Sequence, residues 1–126
     1  MATGYEWKCV SCGYLVKTNG PHEFYIDPHG CRQRYGHPVP KSKEAEECGV
    51  HGLTMVKYCP SCDANREVVI EEFDAPRGFT SCWQGPHHIG EPACPECGGE
   101  LLDELDGLLC PRCHAGFFTG GPVWMT

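Results

Sequence analysis

The sequence predicts a small, β-rich and irregular fold that needs a source of stability other than a large hydrophobic core. Apolar residues make up 40% of the 126 residues, but eleven of them are cysteine. A chain this short buries a low fraction of its surface, so disulfides or bound metal are the usual supplements. Short apolar or β-branched runs follow each Cys-x-x-Cys pair, which favours strands.

Whether these cysteines form disulfides or bind metal depends on the redox state of the compartment that contains the protein. The first residues lack the basic start and apolar run of a secretory signal, and no stretch of eighteen apolar residues would span a membrane. We therefore expect a cytoplasmic protein without a membrane segment, in which clustered cysteines bind metal. Eleven cysteines, an odd number, also fit a complete disulfide framework poorly.

Four Cys-x-x-Cys pairs recur along the chain, and each is typical of a metal-binding knuckle, a tight turn between two strands. The pairs are Cys9 and Cys12, Cys59 and Cys62, Cys94 and Cys97, and Cys110 and Cys113. Gly13 and Gly98 directly follow their knuckles and suit a turn that needs positive φ. Asp63 and His114 take this place in the other two knuckles, and both residue types tolerate left-handed geometry.

The last two knuckles give the strongest metal signal. Twelve residues separate Cys97 from Cys110, a spacing that fits tetrahedral Zn²⁺. The intervening GGELLDELDGLL predicts a strand, a turn at Asp106-Gly107 and a returning strand. This stretch resembles the zinc-ribbon family, in which two knuckles on two hairpins hold one zinc. The resemblance implies a structural zinc bound by Cys94, Cys97, Cys110 and Cys113.

The first site has two interpretations. Cys9 and Cys12 can pair with Cys59 and Cys62, which gives a second four-thiolate ribbon with 46 residues between its knuckles. Alternatively, Cys48 and His51 join Cys59 and Cys62, and the first knuckle takes Cys31 with His22 or His29. We favour the first interpretation because two knuckles of the same type complete a thiolate shell.

These pairings predict two zinc ribbons in tandem, with a long insertion in the first. The N-terminal ribbon covers 1–78 with an inserted loop at 18–55, the linker covers 79–89, and the C-terminal ribbon with an aromatic tail covers 90–126. A structureless insertion of this length would be unusual, so we expect part of it to fold. KSKEAEEC predicts a short helix with Ser42 as its N-cap, and REVVIEEF is the strongest strand signal.

A third zinc remains open alongside the two expected ones. Cys48 and His51 with Cys31, or Cys82 with His87 or His88, would supply its ligands. We favour ordinary buried cysteines and loop histidines, because no two complete motifs support a third site.

The first knuckle also resembles rubredoxin. Cys9, Cys12, Gly13 and Tyr14 match the Cys-x-x-Cys-Gly-Tyr of that family, and Cys59, Pro60 and Cys62 match its second knuckle. The resemblance implies one iron bound by four thiolates and single-electron transfer. Asp63 stands where that family has glycine, and the spacing between the knuckles is longer. We therefore keep an iron electron carrier as an alternative to zinc.

Charge and motifs narrow the functional class. The net charge is −7, which disfavours a nucleic-acid-binding ribbon, although Arg32, Arg34, Lys41 and Lys43 form one basic patch. Closed four-cysteine shells leave no open position for water, and no catalytic motif accompanies them, so we expect no enzyme activity from the chain alone.

We predict a zinc-binding interaction module or a small subunit of a larger complex. Its protein partner would contact the acidic stretch (Glu100, Asp103, Glu104, Asp106) or the C-terminal aromatic residues.

Overall fold

The chain folds as an antiparallel six-stranded sheet, seen in a computed structural model that describes residues 2–37 and 39–125. The elements are β1 Thr3–Cys9, β2 Leu15–Ile26, β3 Arg32–Arg34, α1 Lys43–Cys48, β4 Val50–Cys59, β5 Ala64–Arg77 and β6 Phe118–Met125. The strand order is β5-β4-β2-β1-β6, and β3 pairs with β2. The predicted small, β-rich class is confirmed. No helix within the described ranges is long and apolar enough to cross a membrane.

Two hairpins of the sheet carry the first two knuckles at their turns. β1 and β2 pair up to Lys8↔Leu15, so the Cys9–Cys12 knuckle connects them. β4 and β5 pair up to Cys59↔Ala64, so the second knuckle is their connection. The REVVIEEF segment lies within β5, which confirms the predicted strand. The strands thus hold both knuckles at the end of the sheet where the hairpins turn.

The last strand returns to the first. β6 pairs with β1 along the whole of β1, starting at Cys9↔Phe118. Gly120 permits this close approach, because a Cβ at that position would collide with the carbonyl oxygen of Glu6. The return of β6 places its first residue, Phe118, beside the first knuckle, and its last described residue, Met125, beside Thr3 at the other end of β1.

The predicted hairpin within residues 98–109 is wrong, although its turn at Asp106-Gly107 is present. Leu102 bridges to β4, whereas Leu109 bridges to Phe117. Leu105 and Leu108, on the two sides of the turn, belong to one hydrophobic cluster, whereas Leu101 belongs to another. The two halves therefore pair with separate parts of the molecule instead of with each other.

The predicted insertion at 18–55 is mostly part of the sheet. β2 continues to Ile26, β3 turns back along it, and β4 begins at Val50. The short helix α1 lies between β3 and β4, and its Ser42 Oγ accepts a hydrogen bond from the Ala45 N–H at 3.1 Å. This contact confirms the predicted helix and its N-cap.

The stretch 79–89, predicted to be a linker, lies against the sheet, and we call it the strap. Trp83 Nε1 donates a hydrogen bond to Glu23 Oε1 at 2.8 Å. His87 Nδ1 lies 2.6 Å from Glu71 Oε1. Both glutamates are buried, with 3% and 6% of their surface exposed. Hydrogen bonds to two buried carboxylates therefore fix the strap on the sheet.

The division into segments 1–78, 79–89 and 90–126 stays a prediction. The structure adds that the outer segments share secondary structure and core. β6 of the last segment pairs with β1 of the first, and Phe118 is buried in one cluster with Trp7.

Candidate metal centres

Two groups of four cysteines are positioned to bind metal ions. In each group the sulfur atoms all lie within 4.8 Å of one another. The outer site, named for its position in the chain, contains Cys9, Cys12, Cys110 and Cys113. The inner site contains Cys59, Cys62, Cys94 and Cys97. All eight cysteines of the four knuckles are therefore brought together.

The predicted partnership between the knuckles is wrong. The last two knuckles do not share a site, and neither do the first two. Instead the first knuckle meets the fourth, because β6 pairs with β1 and carries the end of the fourth knuckle with it. The second meets the third, because Leu102 and Tyr58 exchange backbone hydrogen bonds of 2.8 Å and hold the third knuckle beside β4. The two sites are consequently nested in the sequence, one inside the other.

The sulfur separations fit a tetrahedral ion. In the outer site Cys9 and Cys113 are 3.6 Å apart, and Cys12 and Cys110 are 3.7 Å apart. The corresponding distances in the inner site are 3.5 and 3.9 Å. Four sulfurs placed tetrahedrally at the zinc–sulfur bond length would be about 3.8 Å apart, whereas a disulfide would need about 2.05 Å. The donor set therefore fits a metal held by four thiolates.

Knuckle turns direct backbone N–H groups at the sulfur atoms. The N–H groups of Ser11 and Cys12 lie 3.4 and 3.5 Å from Cys9 Sγ, and the N–H of Gly99 lies 3.3 Å from Cys97 Sγ. Each turn ends in a residue of positive φ, as predicted. The angles are 77° at Gly13, 51° at Asp63, 73° at Gly98 and 55° at His114.

The local environment pushes the thiol pKa values apart. The N–H groups of Ala115 and Gly116 lower the pKa of Cys113 to about 6. The contact with Cys97, together with burial, raises the pKa of Cys62 to about 12. Four close thiolates repel one another, so they cannot all ionise without a cation between them. A bound metal ion would relieve this conflict because it deprotonates a coordinating thiol.

Asp63 connects the two sites. Its Oδ1 accepts hydrogen bonds from Tyr14 Oη at 2.8 Å and Tyr58 Oη at 2.6 Å, and its Oδ2 accepts one from Arg112 Nε at 3.1 Å. Although burial opposes ionisation, these donors lower the pKa of Asp63. The Arg112 guanidinium also lies 4.2 Å from the centre of the Tyr14 ring. The carboxylate that follows the second knuckle, part of the inner site, therefore contacts residues at both knuckles of the outer site.

This connection was not predicted from the sequence, in which Asp63 was interpreted only as a substitute for glycine at a left-handed position. The available signal was the placement of Tyr58 directly before the second knuckle and of Tyr14 two residues after the last cysteine of the first. Such a pattern shows that two hydroxyl donors are close to the turns, but it does not show which acceptor they share.

Cysteines outside the knuckles occupy separate places. Cys31 is exposed, Cys48 is half-buried and Cys82 is buried, and Cys82 Sγ donates to the Phe79 carbonyl oxygen at 2.9 Å. Within the part of the chain that the structure describes, none of the three joins a group of metal-ligating side chains. The alternative ligand set of Cys48 and His51 with the second knuckle is wrong, since that knuckle faces the third.

The predicted basic patch is held by contacts within the protein. Arg34 forms an ion pair with Glu67 at 2.6 Å. The Arg32 guanidinium lies 5.8 Å from the centre of the Phe24 ring. Lys41 Nζ lies 5.6 Å from the centre of the Tyr25 ring.

The fold and the sites together define a small β protein with two nested tetracysteine sites, consistent with a zinc-ribbon-like motif. Comparison with known proteins adds no relative: no family model, curated protein or solved structure matches this chain.

Proposed function

We propose that this chain is a non-catalytic, zinc-binding protein of zinc-ribbon type, which acts in the cytoplasm as an interaction module or a small subunit of a larger complex. One observation carries the proposal: each site has four sulfur donors at tetrahedral separation. A shell of four thiolates leaves no position for water, and catalytic zinc sites keep one open. The metal would therefore contribute to folding and not to bond chemistry.

Zinc is favoured over iron because the grouping of the knuckles removes the main argument for iron. The rubredoxin-like set would have joined Cys9 and Cys12 with Cys59 and Cys62, and these two knuckles lie in different sites. Four sulfur ligands alone would accept either metal. Elemental analysis therefore decides between the zinc protein and the electron carrier.

A patch of exposed apolar side chains supports the interaction role. Val10 N–H donates to the Phe117 carbonyl oxygen at 3.1 Å, and Phe117 bridges to Leu109. Directly opposed residues of antiparallel segments project to the same side, so these three residues form one patch beside the outer site, which we call the tip patch. Their exposures are 69%, 53% and 45%. Contiguous exposed apolar residues are typical of protein contacts.

Nucleic acid is the weaker alternative as a partner. Three of the four residues of the basic patch are engaged within the protein: Arg34 with Glu67, and Arg32 and Lys41 with aromatic rings. Residues 79–126 contain six acidic residues and a single basic one, Arg112. A basic surface is what binding to phosphates requires.

The proposal is tested first by elemental analysis of protein purified without added metal, followed by chelation. We expect two zinc ions per chain, and loss of the far-UV and near-UV dichroism of the folded sheet when a strong chelator removes them. Iron at either site would contradict the zinc assignment. An unchanged spectrum after complete metal removal would contradict the structural role.

The interaction role has its own test. A tagged chain with Val10→Ser and Phe117→Ser should lose the proteins that co-purify specifically with the native chain. The matched control is Val39→Ser with Ile89→Ser, since these residues are similarly exposed, at 65% and 56%, but lie outside the patch. Equal loss in both variants, or no loss in the first, would count against the tip patch as the contact surface.

A further inference from the structure

Two cations face each other on the strands that lead into the inner site. Lys57 of β4 is directly opposite Arg66 of β5 in the antiparallel register. Like charges at directly opposed positions are destabilising, and Lys57 has only 9% of its surface exposed. Among the described residues, Lys57 forms no ion pair, and Arg66 Nε is buried without a hydrogen-bond partner. The pair therefore needs an anion that the side-chain carboxylates do not supply at close range.

The inner site lies on the face of the sheet that both cations occupy. Arg66 is directly opposite Lys57, and directly opposed residues of antiparallel strands project to the same side. Lys57 precedes Cys59 by two residues on β4, so strand alternation places both side chains on one face. Lys57 also lines a cavity of about 310 Å³ together with Gly98 and Gly99, which adjoin the third knuckle.

A loaded tetracysteine site supplies the missing anion. Four thiolates around one divalent ion carry a net charge of about −2, which two adjacent cations would balance. We propose that Lys57 and Arg66 are the counter-charges of the metal-loaded inner site. They hold its metal more firmly, and keep its sulfurs less reactive, than those of the outer site. This inference rests on the metal-binding part of the proposed function.

On the described strands that lead into the outer site, Lys8 faces Leu15 and Thr119, so no two cations are directly opposed there. The Arg112 guanidinium, within the fourth knuckle, is bound to the Asp63 carboxylate at 3.1 Å, so together they add no net charge. Lys8 lies near the first knuckle but is exposed to solvent, where water and salt screen its charge. Burial does not distinguish the sites, because each has two buried cysteines, one half-buried and one exposed. The difference between them is therefore one of charge.

The two cations change the reactivity of the inner-site sulfurs because opposite charges attract each other at this partly buried position. A metal-bound sulfur is already deprotonated, so an adjacent cation does not create more thiolate; it lowers the nucleophilicity of the sulfur, because intrinsic nucleophilicity falls with the thiol pKa. Alkylation of a ligand sulfur removes its negative charge and releases the metal. The outer site should therefore lose its metal first when the protein meets a thiol-alkylating reagent.

The experiment treats the zinc-loaded chain with N-ethylmaleimide, follows zinc release with a chromogenic chelator, and identifies the alkylated cysteines by peptide mass spectrometry. In the native chain the first zinc should be released with alkylation of Cys12 and Cys113, and the second later with the inner cysteines. Lys57→Met with Arg66→Gln should speed the release from the inner site about tenfold, the effect expected for lost charge-assisted contacts. The outer site should be unaffected.

Charge-preserving variants separate this role from packing. Lys57→Arg and Arg66→Lys should keep the slow inner release, and Lys8→Met, at the outer site, should leave both phases nearly unchanged. A competing explanation is that Lys57 balances nearby carboxylates and not the sulfurs. The carboxylates that line the same cavity are those of Glu91, Glu100 and Asp103. If Asp103→Asn reproduced the faster release, or if both sites of the native chain reacted at one rate, the inference would be overturned. Should the native chain contain no zinc, the proposed function itself would fail, and elemental analysis beforehand shows which has failed.

Discussion

The carboxylate of Asp63 accepts a hydrogen bond from Arg112 Nε at 3.1 Å, although the two residues are 49 positions apart in sequence. Asp63 follows a knuckle of the inner site, and Arg112 lies within a knuckle of the outer site. The Tyr14 and Tyr58 hydroxyls complete the same cluster. The two metal centres are therefore joined by a polar contact between their turns as well as by the sheet.

Replacing Asp63 should weaken this junction. Asp63→Gly keeps the left-handed backbone, at φ 51°, but removes three hydrogen bonds. We expect the free energy of unfolding to fall by about 1–3 kcal/mol, because the donors lose a charged acceptor. Urea unfolding of the zinc-loaded protein gives this value.

His114→Gly is the matched control for that change. His114 has φ 55° at the equivalent place in the fourth knuckle, and its side chain is exposed. Glycine there should be neutral or slightly stabilising, because it relieves left-handed strain. Equal destabilisation by both substitutions would show that the Asp63 hydrogen bonds contribute nothing of their own.

Gly120→Ala should damage the outer site selectively. A methyl group at this position would collide with the Glu6 carbonyl oxygen and push β6 away from β1. The fourth knuckle would then move away from the first, and zinc affinity should fall at the outer site only. Competition with a chelator of known affinity measures the two sites separately. Gly121→Ala is the control, since a Cβ there meets no atom within 4 Å.

Acid should loosen the strap through Glu71. Burial disfavours its charge, but hydrogen bonds from His87 and the His88 N–H lower its pKa below the ordinary value of 4.5. A carboxyl with a depressed pKa in the fold contributes stability that is fully present above its unfolded pKa, and that is lost as pH falls through the folded pKa. The free energy of unfolding of the native chain should therefore exceed that of Glu71→Gln by a constant amount above pH about 4.5. This difference should shrink below that pH.

Amide hydrogen exchange at His88 reports this effect locally. Its N–H donates to Glu71 Oε2 at 2.6 Å, so protection should be lower in Glu71→Gln at neutral pH. Zinc content must be followed in parallel, because acid also protonates thiolates. Identical protection in both chains while both metals remain bound would show that Glu71 does not hold the strap.

Local features of this fold follow from local sequence. Ser42 caps α1 because its hydroxyl can reach the Ala45 N–H within one turn, and Asp63 and His114 take positive φ because their knuckles need it. Each depends on residues a few positions apart. The knuckles are likewise recognisable one at a time, since each is a complete turn.

The partnership between knuckles could not be predicted in the same way. All four have the same Cys-x-x-Cys form, so spacing alone favoured the neighbouring pairs. The actual pairing depends on long-range strand contacts, such as Cys9↔Phe118 and Tyr58↔Leu102. The contacts of the strap could not be predicted for the same reason: its Gly, Pro and His content is typical of a linker, and its hydrogen bonds lead to Glu23 and Glu71, buried residues of distant strands.

The nesting of the two sites is tested most directly by zinc content in two double variants. Cys12→Ser with Cys113→Ser removes two ligands from the outer site and should leave one zinc per chain. Cys12→Ser with Cys62→Ser removes one ligand from each site and should leave less than one. If the first two knuckles instead shared one site and the last two shared the other, the second variant should keep one zinc. The first variant should then keep less than one. One zinc in the second variant and none in the first would contradict the nested arrangement.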